Sequence, residues 1–134
     1  MLDVDVITDI RVAPADGLPA RAEVERLLAL ALGSAGIGDG HVAVEFVGAE
    51  RIAALNADYR GKPGPTDVLS FPVDGAGDVG GGGAPRELGD IVICPAHTAD
   101  LREAIVHGAL HLTGMDHETD DGEMLVVQAE ILSW

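Results

Sequence analysis

LREAIVHGALHLTGMDH, Leu101 to His117, is the stretch on which both the fold and the chemistry turn. Its apolar residues Leu101, Ile105, Leu110 and Leu112 continue a helical pattern that begins near Pro95, a residue suited to a first helical turn. Gly114 sits where the helix must stop, because glycine can take a positive φ and turn the chain back. His107 and His111 are four residues apart and so share one helix face. After the turn, His117 is close enough to bring a third imidazole to the same point.

Working outward, the chain alternates strand and helix signals. Val4 to Ile10 suits an opening strand, and Leu18 to Leu32 an amphipathic helix with Val24, Leu27, Leu28 and Leu32 on its buried side. Gly33 to Gly40 is a turn-rich connection, His41 to Val47 a second strand, and Glu50 to Tyr59 a second helix. GKPGPT, Gly61 to Thr66, breaks that helix because Pro63 and Pro65 cannot extend it. Val68 to Val73 and Leu88 to Cys94 read as the third and fourth strands. The glycine-rich stretch Asp74 to Pro85 between them reads as a mobile loop rather than a phosphate cradle, since no lysine or helix start follows it. A last helix is expected to open at Asp120, with Asp120 and Glu123 at capping-box spacing and Met124, Val127, Ile131 and Leu132 as its buried stripe. Four strands interleaved with helices indicate a small α/β or α+β sandwich, with the strand order left open.

The 134 residues fit one domain, 1–134, whose core must be aliphatic because Phe, Trp and Tyr total four. No apolar run approaches the roughly 20 residues needed to cross a bilayer, and the acidic N-terminus is unlike a secretion signal. A cytoplasmic protein without a membrane partner is the expectation. The single cysteine, Cys94, excludes an internal disulfide and reads as a buried, inert thiol. A net charge of −15 excludes broad, charge-driven binding of nucleic acid. Any RNA substrate would have to be held by a few local arginines and a metal.

Three imidazoles around one cation leave a fourth position open for water, which is the catalytic arrangement of zinc. Such a metal can lower the pKa of its water to about 7. The spacing H-x-x-x-H-x-x-G-x-x-H is that of extended zinc-protease motifs, but those enzymes place a glutamate general base where this chain has Gly108. The metal scaffold is therefore present and the peptidase base is missing. Asp116 is a candidate to orient an imidazole from behind or a solvated turn residue. Either Asp116 or Glu118 could assist proton transfer. His97 reads as a capping or surface residue, and His41 as a surface residue at a strand start.

LNADYRGKPGPTDVLSFP (Leu55 to Pro72), ELGDIVICP (Glu87 to Pro95), HGALHLTGMDHE (His107 to Glu118) and EMLVVQAEIL (Glu123 to Leu132) together resemble the YbeY family of rRNA maturation factors. The resemblance implies an α+β fold: a small, mixed four-stranded sheet packed with helices, one of them a zincin-like metal-bearing helix. It implies a single-strand-specific, metal-dependent endoribonuclease acting on the 3′ end of small-subunit 16S rRNA and in ribosome quality control. Its ligands would be His107, His111 and His117, its cofactor one Zn²⁺ or another divalent transition metal, and His111 and Arg60 its catalytic residues. Arg60 would also bind substrate, since a guanidinium clamps phosphate, with Lys62 and Arg51 extending a small basic lip. Implied partners are single-stranded rRNA, small-subunit ribosomal proteins and ribosome-associated proteins. Between the fourth strand and His107 this chain has only PAHTADLREAIV where the family carries a longer insertion. A shorter or missing helix is expected there. Two other readings are a metal-dependent hydrolase of another substrate such as peptide, and a ribosome-assembly module with a structural metal.

Overall fold

The computed structural model describes residues 2–9, 12, 18–72, 87–114 and 122–133. Strands β1 (Leu2–Thr8), β2 (Gly40–Phe46), β3 (Val68–Pro72) and β4 (Glu87–Ile93) form one sheet in the order β1-β2-β4-β3. β1 and β2 run parallel, as do β2 and β4, while β3 is antiparallel to β4. The mixed four-stranded sheet is thus as expected. Helices α1 (Arg21–Gly33), α2 (Ala49–Arg60), α3 (Leu101–Leu112) and α4 (Glu123–Leu132) complete the described elements. The expected glycine-rich loop, with Val73 and Ile10, lies outside the described residues.

Alternation along the strands sends side chains to two faces. Ile91 and Ile93 of β4 join Val42, Val44 and Phe46 in a core shared with α1, α3 and α4. Val92 and Cys94 point the other way and pack with Leu69, Val47 and Ile52 of α2. Cys94 is fully buried, in keeping with an inert thiol. Among the described residues, three helices therefore pack on one face and α2 packs on the β3–β4 half of the other.

Several element ends differ from the sequence expectation, each for a local reason. Pro95 opens only a 3-10 turn, Pro95–His97, and α3 begins after Asp100, whose carboxylate accepts from the Arg102 and Glu103 N–H groups. A polar N-cap so placed outweighs the apolar periodicity upstream of it. His97 is exposed at the end of that turn. α2 runs one residue beyond Tyr59 and stops at Gly61, φ +65°, where the Gly61 and Lys62 N–H groups bond back to the Ala57 and Asn56 carbonyls. The left-handed glycine, not Pro63, ends it. α4 starts at Glu123 behind Gly122, φ +101°, with no side-chain cap; Asp120 lies outside the described residues.

β4 carries a bulge. His41 pairs with Glu87 and Val42 with Gly89, which leaves Leu88 as the extra residue. Gly89 has φ +138°, and a Cβ there would lie 2.3 Å from the Phe71 carbonyl oxygen. Both backbone conformation and space demand glycine. Gly89→Ala is expected to cost on the order of 3 kcal/mol, the sum of a forbidden φ and a backbone clash, read as a lowered urea midpoint.

His41 is not the plain surface residue expected from sequence. Its Nδ1 lies 2.6 Å from Glu87 Oε1 and its Nε2 2.8 Å from Asp5 Oδ2, so it ties three strands together. Hydrogen bonding to Glu87, then to Asp5, lifts its pKa from 6.5 to about 9. The folded protein thus holds a proton that the unfolded chain releases. This contribution to stability is complete below pH 6.5 and disappears as pH rises through about 9. Denaturation midpoints of wild type and His41→Gln should differ at pH 6 and converge toward pH 10.

Candidate metal centre

α3 is buried on nearly every side. Ala104, Ile105, Val106, Gly108, Ala109, Leu110 and Leu112 face protein, while His107 and His111 remain half-exposed on one strip. Beyond its first turn the helix is apolar except at two histidines one turn apart, which fixes the face they occupy. Their Nε2 atoms lie 3.1 Å apart, with the rings edge to face.

That spacing fits a shared cation. Two ligands of a tetrahedral centre with Zn–N bonds of about 2.0–2.1 Å are about 3.3 Å apart. Two imidazole nitrogens that approach this closely also form the borderline-soft donor set zinc prefers. On the far side of the His107 ring, Nδ1 lies 2.9 Å from Gln128 Oε1 of α4. Gln128 was missed by the sequence reasoning, although a signal existed. It falls between Met124 and Ile131 on the buried stripe of α4, where a polar residue stands out.

The other expected site residues divide into two groups. His117 and Asp116 lie outside the described residues, and so does Glu118. Among the described residues no three His, Cys, Asp or Glu side chains come together at a metal-binding distance. Arg51, Arg60 and Lys62 are exposed, at or just beyond α2, on the face of the sheet opposite α3.

The edge strand β3 separates them from the histidines. Ser70 of β3 faces α3 and donates from Oγ to the Gly108 carbonyl oxygen at 3.1 Å. Phe71 faces the other way and meets Tyr59, one residue before Arg60, edge to face at 5.0 Å. The connection after Arg60 is fixed to the body: Asn56 Nδ2 donates to the Gly64 carbonyl, and the Cys94 N–H to that of Asp67.

Gly108 explains why the peptidase glutamate has no place here. A Cβ at this position would stand 2.6 Å from Ile91 Cγ2 and 3.2 Å from Ser70 Oγ. The residue after His107 faces the sheet, not the strip carrying the imidazoles, so a longer side chain has nowhere to go.

Known proteins resemble this chain along most of its length. The family model described as Endoribonuclease YbeY matches residues 16–133. Endoribonuclease YbeY of Macrococcus caseolyticus is 40% identical over 149 residues, covering 99% of this chain and 95% of that protein. Endoribonuclease YbeY of Geobacillus kaustophilus is 42% identical over 129 residues, covering 82% and 83%. A Thermotoga maritima protein with a solution structure is 27% identical, with a TM-score of 0.55 over 97% of this chain and 87% of that one.

Gly108→Ala is expected to cost about 1–3 kcal/mol through overpacking. Ile91→Ala, which removes the obstructing methyl, should cost less in the Gly108→Ala background than alone. A double-mutant cycle by urea denaturation reads that coupling. Strict additivity would show that the two residues do not touch.

Proposed function

Because the chain belongs to the Endoribonuclease YbeY family, we propose that it is a single-strand-specific, zinc-dependent endoribonuclease. Its substrate is ribosomal RNA, and its setting is 16S rRNA 3′-end maturation and ribosome quality control in the cytoplasm, with ribosomal proteins as partners. The observation that carries the metal reading is the 3.1 Å approach of His107 Nε2 to His111 Nε2. His117 is the third ligand in this reading, three residues after Gly114, whose φ is +96°. Among the described residues no helix is long and apolar enough to cross a membrane, which agrees with a substrate met in solution.

A bound Zn²⁺ would supply Lewis acidity toward a phosphoryl oxygen or water. The chain's own residues do the rest. His107 and His111 present their nitrogens one turn apart on a buried helix, with their Nε2 atoms 3.1 Å apart. Arg60 stands at the end of α2 as a guanidinium able to grip phosphate in a bidentate manner and stabilise charge on its oxygens. Lys62 and Arg51 add attraction for the RNA backbone. Asp116, outside the described residues, is the candidate in this reading for orienting an imidazole, the alternative being a solvated turn residue. Gly108, buried against Ile91, leaves no general base at the position where zinc peptidases carry it, which ranks a peptidase lower.

His111→Ala should lose zinc and cleavage of single-stranded rRNA together, measured by metal analysis and gel assay. Arg60→Ala should keep its zinc and its fold while cleavage falls about 10²–10³-fold, the usual loss of one charge-stabilising donor. Undiminished cleavage by chelator-stripped wild type would refute the proposal.

A further inference from the structure

Gln128 is 8% exposed on a helix stripe otherwise made of Met124 and Ile131. Burying a carboxamide costs free energy unless it is hydrogen-bonded. It is hydrogen-bonded to a histidine of the candidate metal centre, Oε1 to His107 Nδ1 at 2.9 Å. We propose that Gln128 is the positioning residue that sets the tautomer and ring orientation of His107, aiming its Nε2 lone pair at the point shared with His111. The inference rests on the metal reading given above and names a residue through which that site is built.

The chemistry allows two cases. A carbonyl oxygen can only accept, so with Oε1 facing the ring the proton sits on Nδ1. Neutral His107 then has its lone pair on Nε2, the atom 3.1 Å from His111 Nε2. If the amide were turned the other way, its NH₂ would donate to Nδ1 and force the ring proton onto Nε2. That proton would occupy the coordination direction and oppose binding. Only the first case makes His107 a ligand without a prior proton shift.

Packing holds the carboxamide in place. Met124 and Ile131, one turn to either side, are fully buried in the same core as Ile105 and Ala109 of α3. The Gln128–His107 bond thus joins two helices already locked together. A metal-ligating histidine fixed through its second nitrogen in this way binds tighter, and loss of the partner commonly costs 10–100-fold in affinity.

The test uses the full chain and two variants. Gln128→Leu keeps the volume but removes the acceptor; Gln128→Glu keeps an acceptor oxygen. Zinc affinity is measured with zinc alone by competition with a chromophoric chelator, and the His107 tautomer by ¹H–¹⁵N correlation spectra of the metal-free protein. Expected are an Nδ1–H tautomer in wild type, its loss in Gln128→Leu with zinc binding 10–100-fold weaker, and both retained in Gln128→Glu. An Nε2–H tautomer in wild type overturns the proposal even if Gln128→Leu does not fold. So does a folded Gln128→Leu with unchanged tautomer and affinity. Wild type that binds no zinc yet shows a Gln128-dependent Nδ1–H tautomer would sink the metal reading and leave the role of Gln128 standing.

Discussion

The seating of Gly108 on the sheet is the constraint that the rest of the structure depends on. With no Cβ at that position, the α3 backbone comes close enough for Ser70 to donate to its carbonyl and for Ile91 to fill the space beneath. One helix face is thereby committed to the sheet, and His107 and His111 are turned to the half-exposed strip. Helix rotation is fixed by packing, so the positions of the imidazoles follow from close contact on the opposite side of the helix. The bulge at Gly89 works toward the same end: it carries β4 past Phe71 without a side chain in the way, and Leu112 of α3 packs against that point.

Much of this was legible in the sequence because the relevant patterns are local. Four-residue spacing of His107 and His111 predicts a shared face, and the 3.1 Å separation of their Nε2 atoms agrees. The aliphatic runs of β2 and β4 announce strands with little polar surface. What sequence could not supply are facts of pairing and shape. Nothing in His41 alone reveals Asp5 and Glu87 as its partners, because those contacts join residues 36 and 46 positions away. The start of α3 was misplaced because apolar periodicity extends past the cap, while Asp100 decides where the first N–H groups find an acceptor. The role of Gly108 as a contact surface, rather than merely a missing base, depends on what lies across from it.

The sheet also sorts the chain's charge. Over β1 and β2 the face not covered by α1, α3 and α4 carries Asp3, Asp5, His41 and Glu45, with Asp90 and Glu87 beside them on β4. The exposed cations Arg51, Arg60 and Lys62 belong to α2 and the turn after it. A polyanion approaching a chain of net charge −15 is repelled broadly and attracted locally. The acidity that looks ill suited to RNA thus restricts where RNA can settle more than it forbids contact, and the basic lip adjoins the edge strand whose other side touches the histidine helix.

β3 lies at the rim of the sheet, is five residues long and ends in Pro72. An open rim with a full row of unpaired N–H groups would invite another chain to add a strand, and such addition is a common route to aggregates. Brevity limits the number of bonds a guest strand could form, and proline withholds a donor at the end of the row. The opposite rim, β1, bears Asp3 and Asp5, whose like charges would oppose two copies meeting there. The strand that stands between the cations of α2 and its following turn and the imidazoles of α3 is thus poorly suited to templating another strand.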